Sequence, residues 1–394
     1  MKLSRRVQEL HESATLAVSA KAARMQADGV DVVGFGAGEL DFPTPPHIKQ
    51  AGIKAINDGQ TLYPKPASGL MVAKKAVCTK FTRDNALAYR PEQVIITAGG
   101  KDGIYLAIQS LIDPGDEVVI PVPYWVSYPE IVKLASGVPV FVAGPEKSDY
   151  KLAPRDLEKV LTPRTRAVFI NSPSNPSGVT YHPDEIRALA AVLERRDLIV
   201  LSDEIYDELL YNGQQTLSYA AASPAAFAQT LTLNSASKTY AMTGWRIGYA
   251  AGSVEIIQAM AKIQSQTTSG AVTFNQVALA EALAGDQSNV HAIRAELEGR
   301  ARFMHERLSA MPGVTCPKPT GAFYCFPNVS GTFARLGVKG SHGFADRLLD
   351  QAKVAVVPGE AFGLDAHVRL SFSTSLAQIE EGLQRLDRFL VPKT

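Results

Sequence analysis

Two hydrophobic patterns alternate along most of the chain. Short apolar runs, largely β-branched, are separated by longer stretches with helical spacing. The runs are 94–97, 117–120, 138–142, 167–170, 198–201, 231–233 and 248–251. A strand wetted on one face alternates apolar and polar residues, and these runs do not. The pattern therefore predicts a sheet covered by helices on both faces and largely parallel. Such a sheet places its ligand at the carboxyl ends of its strands. Before the first run, residues 14–28 read as a helix closed by Gly29, and Pro45-Pro46 opens a second helix that Gly59 stops. Beyond about residue 285 the texture changes. A charged helix over 292–308, strands over 322–326, 354–357 and 367–372, and a last helix over 376–389 predict a smaller α+β unit. No Ser/Gly-rich linker precedes it, so tight packing of the two parts is expected.

Composition narrows the picture. The 394 residues, 46% hydrophobic, suffice for one large domain and a smaller one. The formal net charge is +1 and no block of like charge stands out, which argues against a nucleic-acid or anionic-membrane surface. No apolar run is long enough to span a membrane, and no apolar signal core follows the first six residues. Cys78, Cys316 and Cys325 are far apart, fit a reduced compartment and lack metal-ligand spacing, so no metal site is expected. The expectation is a soluble, cytoplasmic protein.

Most of the candidate chemistry lies just after apolar runs. Ser235-Ala236-Ser237-Lys238 follows the run 231–233, and Arg246 stands eight residues beyond the lysine. A lysine amine can condense with a carbonyl. Hydroxyls and an arginine beside it suit a phosphate. Together they point to an aldehyde cofactor with a phosphate tail, pyridoxal 5′-phosphate. Gly99-Gly100-Lys101 lies between a strand and a helix over 104–111, where backbone N–H groups can meet phosphate. Asp203 ends a buried strand and needs a donor or cation, unless it merely caps a helix starting at Glu204. Asn175 lies in a turn, and Trp125 is either core or a platform for a flat ring. Arg369 sits between Val368 and Leu370 in an apolar strand, where it needs either a salt bridge or a substrate carboxylate.

In order and spacing, Asn175-Pro176, Asp203-x-x-Tyr206, Ser235-x-Ser237-Lys238, Arg246 and Arg369 make a specific set. The chain resembles the fold-type I pyridoxal-phosphate aminotransferases, most closely the bacterial aspartate aminotransferases of class I, subgroup Ib. Stretches such as 37–42, 113–118, 123–125, 240–246 and 321–324 extend the resemblance over essentially the whole chain. It implies an α/β large domain over 45–289, with a seven-stranded, mostly parallel sheet, and a small domain from 1–44 and 290–394. It also implies roles. Lys238 forms the Schiff base, Asp203 pairs with the ring nitrogen, and Asn175 and Tyr206 hydrogen-bond the phenolic oxygen. Trp125 stacks on the ring. The backbone at Gly100 and Lys101, with Ser235 and Arg246, holds the phosphate, joined by Tyr63 from a neighbouring subunit, so the site requires a homodimer. Arg369 clamps the substrate α-carboxylate with the Gly38 backbone, Trp125 and Asn175.

The reaction so implied is ping-pong transfer of an amino group from L-aspartate, or another dicarboxylic amino acid, to 2-oxoglutarate. In the resembling subgroup the counterpart of Lys101 meets the distal carboxylate. Three departures bear on specificity: His11 replaces a lysine common before Ser-Ala-Thr, Leu40 replaces a proline, and the loop 63–69 carries an extra proline and a lysine. Two alternatives stay open. One is an aminotransferase of the same fold for aromatic, branched or other amino acids, or for prephenate. The other, more remote, is a non-catalytic cofactor-binding sensor.

Overall fold

The computed structural model describes residues 2–391. Seven strands form the central sheet: β1 (Val94–Thr97), β2 (Glu117–Val122), β3 (Val138–Ala143), β4 (Thr165–Asn171), β5 (Ile199–Asp203), β6 (Thr230–Ser235) and β7 (Gly248–Ala251). Their order is β1-β7-β6-β5-β4-β2-β3, and every pairing is parallel except those of β7.

Both faces are apolar, as the unbroken runs required. Val118 and Ile120 of β2 pack under helices α4 (Gly100–Leu111), α5 (Ser127–Leu134) and α7 (Val254–Thr267). Val119, one residue out of phase, joins the opposite core beside α6 (Pro183–Leu193). Successive strand residues point to opposite faces, so a two-sided core needs every position apolar. Helices α3 (Met71–Asn85) and α8 (Thr273–Ala284) cover the β1–β7 end. Ahead of them lie α1 (Ala14–Ala27) and α2 (Pro46–Asn57).

The remaining elements form a second core. Helices α9 (Ser288–Ser309), α10 (Gly340–Ala352) and α11 (Leu376–Leu390) pack on a three-stranded antiparallel sheet. Its strands are β8 (Tyr324–Cys325), β9 (Val357–Pro358) and β10 (Val368–Ser371), in the order β9-β10-β8. Helix α11 buries Ile379, Leu383, Leu386 and Leu390 along one stripe, and the Ser375 hydroxyl accepts from the Gln378 N–H at its start. Each such side chain contributes about 1.5–3 kcal/mol on burial, which holds the helix down. Tyr206, Leu209 and Tyr211, from the segment after β5, belong to this same second core.

Some boundaries differ from the sequence reading. The run 354–357 splits: Val354–Ala355 pairs in parallel with Val33–Gly34, while β9 pairs with β10. The chain changes sheets there, which an apolar run does not announce. Helix α4 begins at Gly100 rather than at 104, with the Asp102 carboxylate accepting from the Ala98 N–H at 2.9 Å. That bond supports a first turn whose glycines argue against a helix. No helix of the described residues is long and apolar enough to cross a membrane.

Candidate active site

The carboxyl ends of the strands converge on one cavity of about 470 Å³. Asp203 closes β5, Ser235 closes β6, and Gly99 follows β1. Arg246 precedes a strand, yet it arrives at the same end because β7 runs the other way. Gly248 is paired with both Thr97 and Ser235. The cavity is lined by Gly38, Gly100, Lys101, Trp125, Asn175, Asp203, Tyr206, Lys238, Arg246 and Arg369, with Thr15 and Leu16 of α1 facing it. Ser235 and Tyr63 do not line it. The Ser235 hydroxyl donates to the Ile247 carbonyl at 2.8 Å, whereas Ser237, next to Lys238, faces the cavity. Tyr63 is 77% exposed on the outer surface.

The Lys238 amine donates to the Gly38 carbonyl and lies 5.7 Å from the Phe323 ring centre. Desolvation, then the positive Arg369, lowers its pKa to about 8. Asp203 is 6% exposed and accepts from the Tyr128 hydroxyl at 2.6 Å and the Ile205 N–H at 3.3 Å. Burial raises its pKa, while the Tyr128 hydrogen bond pulls the other way. Residues 205–208 form turns rather than a helix, so Asp203 caps none.

Arg369 is 1% exposed. It donates to the Asn175 side-chain oxygen at 2.9 Å and the Gly36 carbonyl at 3.0 Å. Its guanidinium lies 4.4 Å from the Tyr324 ring centre and 5.1 Å from that of Phe362. No carboxylate of the described residues pairs with it, which rules out the salt-bridge alternative among them. Desolvation lowers its pKa. The Tyr206 and Tyr324 hydroxyls are 3.0 Å apart, and burial raises both phenols.

At the other end, Gly99 has φ +97°, and a Cβ there would stand 2.4 Å from an Arg246 guanidinium nitrogen. Only glycine allows the arginine to close over the start of α4. Arg246 is anchored by the Thr243 carbonyl at 2.8 Å. The Lys101 amine sits 5.0 Å from the Trp125 ring centre.

Sequence reasoning missed Tyr128, Asn171, Asn234 and Tyr324, all of which line the cavity. Asn171 accepts from the Asn175 N–H at 2.9 Å and so holds that turn. The roles of Tyr128 and Tyr324 arise from contacts across long sequence separations, 75 residues between Tyr128 and Asp203 and 118 between Tyr206 and Tyr324, and carry no local signal.

The donor set fits pyridoxal phosphate. Asp203 is a buried carboxylate with hydroxyl and amide donors but, among the described residues, no ion-pair partner, a setting that suits a protonated ring nitrogen. Among the described residues the Asn234 amide nitrogen and the Arg369 Nε are buried without a partner. The α4 N-terminus and Arg246 suit a phosphate, and the Lys238 amine suits an aldehyde.

Fold and site together define a transaminase of fold type I, and comparison with known proteins agrees. The chain belongs to the aminotransferases of class I and II, whose family model matches residues 30–386. It is 48% identical to the aspartate aminotransferase of Geobacillus stearothermophilus, over 99% of both chains. Its structure superimposes with TM-score 0.94 on that of the aspartate aminotransferase from Rhizobium meliloti (40% identity, 99% of both chains). With the Thermus thermophilus aspartate aminotransferase solved with maleate the TM-score is 0.93 (41% identity, 99% of this chain and 100% of that one). The cofactor of the family is pyridoxal 5′-phosphate.

Proposed function

We propose that the chain transfers the amino group of L-aspartate, or another dicarboxylic amino acid, to 2-oxoglutarate in two half-reactions. One observation carries this reading. Two cations, Arg369 and Lys101, face one cavity, and neither is paired with a carboxylate among the described residues. A dicarboxylate answers both. The Thermus relative, solved with maleate, is a precedent for such a ligand. His11 stands apart from these two cations. Its backbone N–H donates to Glu130 at 3.0 Å, and its ring lies outside the cavity lining. Selectivity for the distal carboxylate then rests on Lys101.

When bound, pyridoxal phosphate supplies the electron sink that makes the substrate Cα proton acidic. Asp203 keeps a proton on the ring nitrogen. Tyr206 and Asn175 orient at the phenolic oxygen, and Trp125 stacks on the ring. The backbone at Gly100 and Lys101, with Ser235 and Arg246, would hold the phosphate; the Ser235 role is indirect, since its hydroxyl accepts from the Ser237 N–H at 3.1 Å. Arg369 forks the α-carboxylate, with Gly38 and Trp125 beside it. The Lys238 amine, increasingly neutral as pH rises through about 8, would take the proton from the substrate Cα and carry it as the general acid–base.

The chain divides, in this reading, into a large domain over 45–289 and a small domain from 1–44 with 290–394. The pairing of Val33–Gly34 with Val354–Ala355 supports that division. A homodimer completes the site. Leu62 and Tyr63 are each 77% exposed, with Met71 and Val72 at 53% and Val272 at 44%. The Leu62 carbonyl accepts from the Thr273 hydroxyl at 2.5 Å, which brings the loop and α8 into one patch. An apolar patch of this kind marks a partner surface, and a second copy would bring Tyr63 to the neighbouring phosphate site. Sedimentation is expected to give twice the 42.3 kDa chain mass; a monomer with full activity would remove Tyr63 from the site. The three cysteines are free thiols, which supports a reducing, cytoplasmic setting.

The test is the visible absorption of the purified protein titrated with L-aspartate. The cofactor band is expected to fade as the amino group is taken up. Lys101→Ala should raise the aspartate concentration required by about 10-fold or more, the worth of one charged hydrogen bond of about 1.5–3 kcal/mol. Alanine titrations should be little changed. Arg369→Ala should weaken every amino acid alike. An unchanged aspartate response in Lys101→Ala moves the reading to other amino donors.

A further inference from the structure

Behind the wall that carries Asp203 and Tyr206 lies a second charged cluster, separate from the cavity. The turn after β5 has two faces. Asp203, Ile205 and Tyr206 line the cavity. Glu204, Asp207 and Glu208 instead meet the end of α3. There Lys80, 1% exposed, binds the Asp207 carboxylate and donates to the Asn85 side-chain oxygen at 2.7 Å. Glu208 and Asp84 stand 3.6 and 3.8 Å from the same amine. The Asn85 amide donates to Asp207 at 3.1 Å and to Glu204 at 3.3 Å. Glu204 in turn accepts from the Ser202 and Ser218 hydroxyls, each at 2.7 Å. Every side chain on the far face of the turn is thus tied to α3 or to the core around it.

A buried lysine is costly. Desolvation lowers the Lys80 amine, but Asp207 and then Glu208 outweigh it and hold the amine above its ordinary range. Burial pushes the Glu204 and Glu208 carboxyls up to about 7. A well-packed apolar side chain would fill the same space at lower cost. What it would not do is fix one position of residues 205–208, which leave the end of β5 as turns with no helix or strand of their own. Fixing that position matters, because a displacement of about 1 Å at a reacting group can cost about 100-fold in rate.

We propose that Lys80 is a positioning residue for transamination: by gripping the far face of the 204–208 turn, it sets where the Tyr206 hydroxyl stands in the cavity and, through the Ile205 N–H, how the Asp203 carboxylate at the end of β5 is aimed. This rests on the reading of those two residues as cofactor partners. Lys80 touches neither cofactor nor substrate and acts through Asp207 and Asn85. The α-carboxylate is held by Arg369 on β10, outside the turn, so the effect falls on turnover rather than on substrate binding.

The experiment compares four variants of the full-length holoenzyme. Lys80→Met is expected to lower kcat by about 10- to 100-fold, to leave KM for aspartate within about twofold, and to move the pH midpoint of the bound cofactor's visible band. Leu157→Ala, in the fully buried core beside β3, should lower Tm without moving the midpoint or kcat. If Lys80→Met behaves like Leu157→Ala, Lys80 only stabilises the fold and the proposal is overturned. Asn85→Ala keeps the Lys80–Asp207 ion pair and releases three bonds, the two donated by the Asn85 amide and the one its oxygen accepts from Lys80. It is expected to shift midpoint and kcat in the same direction by about threefold in rate, and no shift overturns the proposal even if Lys80→Met does not fold. Asp203→Asn separates this inference from the reading beneath it. If that variant also keeps its midpoint and rate, the assignment of Asp203 falls, and the role of Lys80 falls with it.

Discussion

Lys238→Ala is expected to abolish transamination while leaving a cofactor-binding site behind. The remaining partners are untouched: Arg246 keeps its Thr243 anchor, and Asp203 keeps its Tyr128 bond. The variant should therefore take up pyridoxal phosphate non-covalently, without the absorption band of the lysine adduct. Single-turnover assays with aspartate should show a loss of about 10⁴-fold or more, since both the covalent attachment and the proton carrier are gone. Normal turnover would sink the assignment. The wild-type amine gives a second readout. With its pKa lowered to about 8, the fraction in the neutral, reactive form grows as pH rises through 8. By simple titration about a tenth is neutral at pH 7 and about nine-tenths at pH 9. Cofactor uptake by the cofactor-free protein should accelerate over that interval and level off above it. A lysine at its ordinary value would still be accelerating near pH 10.

Asp203→Ala is expected to cost three orders of magnitude or more in kcat, about 4 kcal/mol of activation free energy, with the fold intact. The carboxylate is the buried acid placed to hold a positive charge on the cofactor ring, and without that charge the electron sink is weak. The structural loss is smaller. Tyr128 loses one acceptor, and its ring stays stacked on Phe169 at 4.2 Å. Circular dichroism and Tm should change little beside the rate. A near-normal rate would leave Asp203 with no role beyond holding Tyr128 and the Ile205 amide.

The seven strands were readable because a two-sided sheet demands unbroken apolar runs, and few other structures do. The small sheet was harder. Strand β8 has two residues, and β9 follows a strand of another sheet after a single residue, so no periodicity could separate them. The cavity's cationic and acidic groups were legible because Lys238, Asp203 and Arg369 each break an apolar context and invite a reason. Tyr128 and Tyr324 were not, since a tyrosine in an apolar stretch fits a core equally well. Lys80 was invisible for a related reason. It sits in a charged helix, and its burial depends on a turn 127 residues away. Ser235 shows a different limit: the motif carries two serines, and only the geometry turns Ser237 toward the cavity while the Ser235 hydroxyl holds the Ser237 N–H.

The antiparallel strand β7 has a consequence for how the protein is made. It inserts between β1 and β6, so Val94 is paired with Ala251, and Gly99 meets Arg246 only across that seam. A nascent chain that has emerged as far as Lys238 has all five parallel strands, but not β7, which has to join the seam last. Its Arg246 anchor is absent, and β1 has no neighbour. Contacts of such long sequence separation form slowly. The pairing of Val33–Gly34 with Val354–Ala355 comes later still. Phosphate binding is thus postponed until the large sheet is sealed, and the N-terminal wall of the cavity settles only once Val354–Ala355 has been made. A cofactor that arrives early finds a lysine without a cradle.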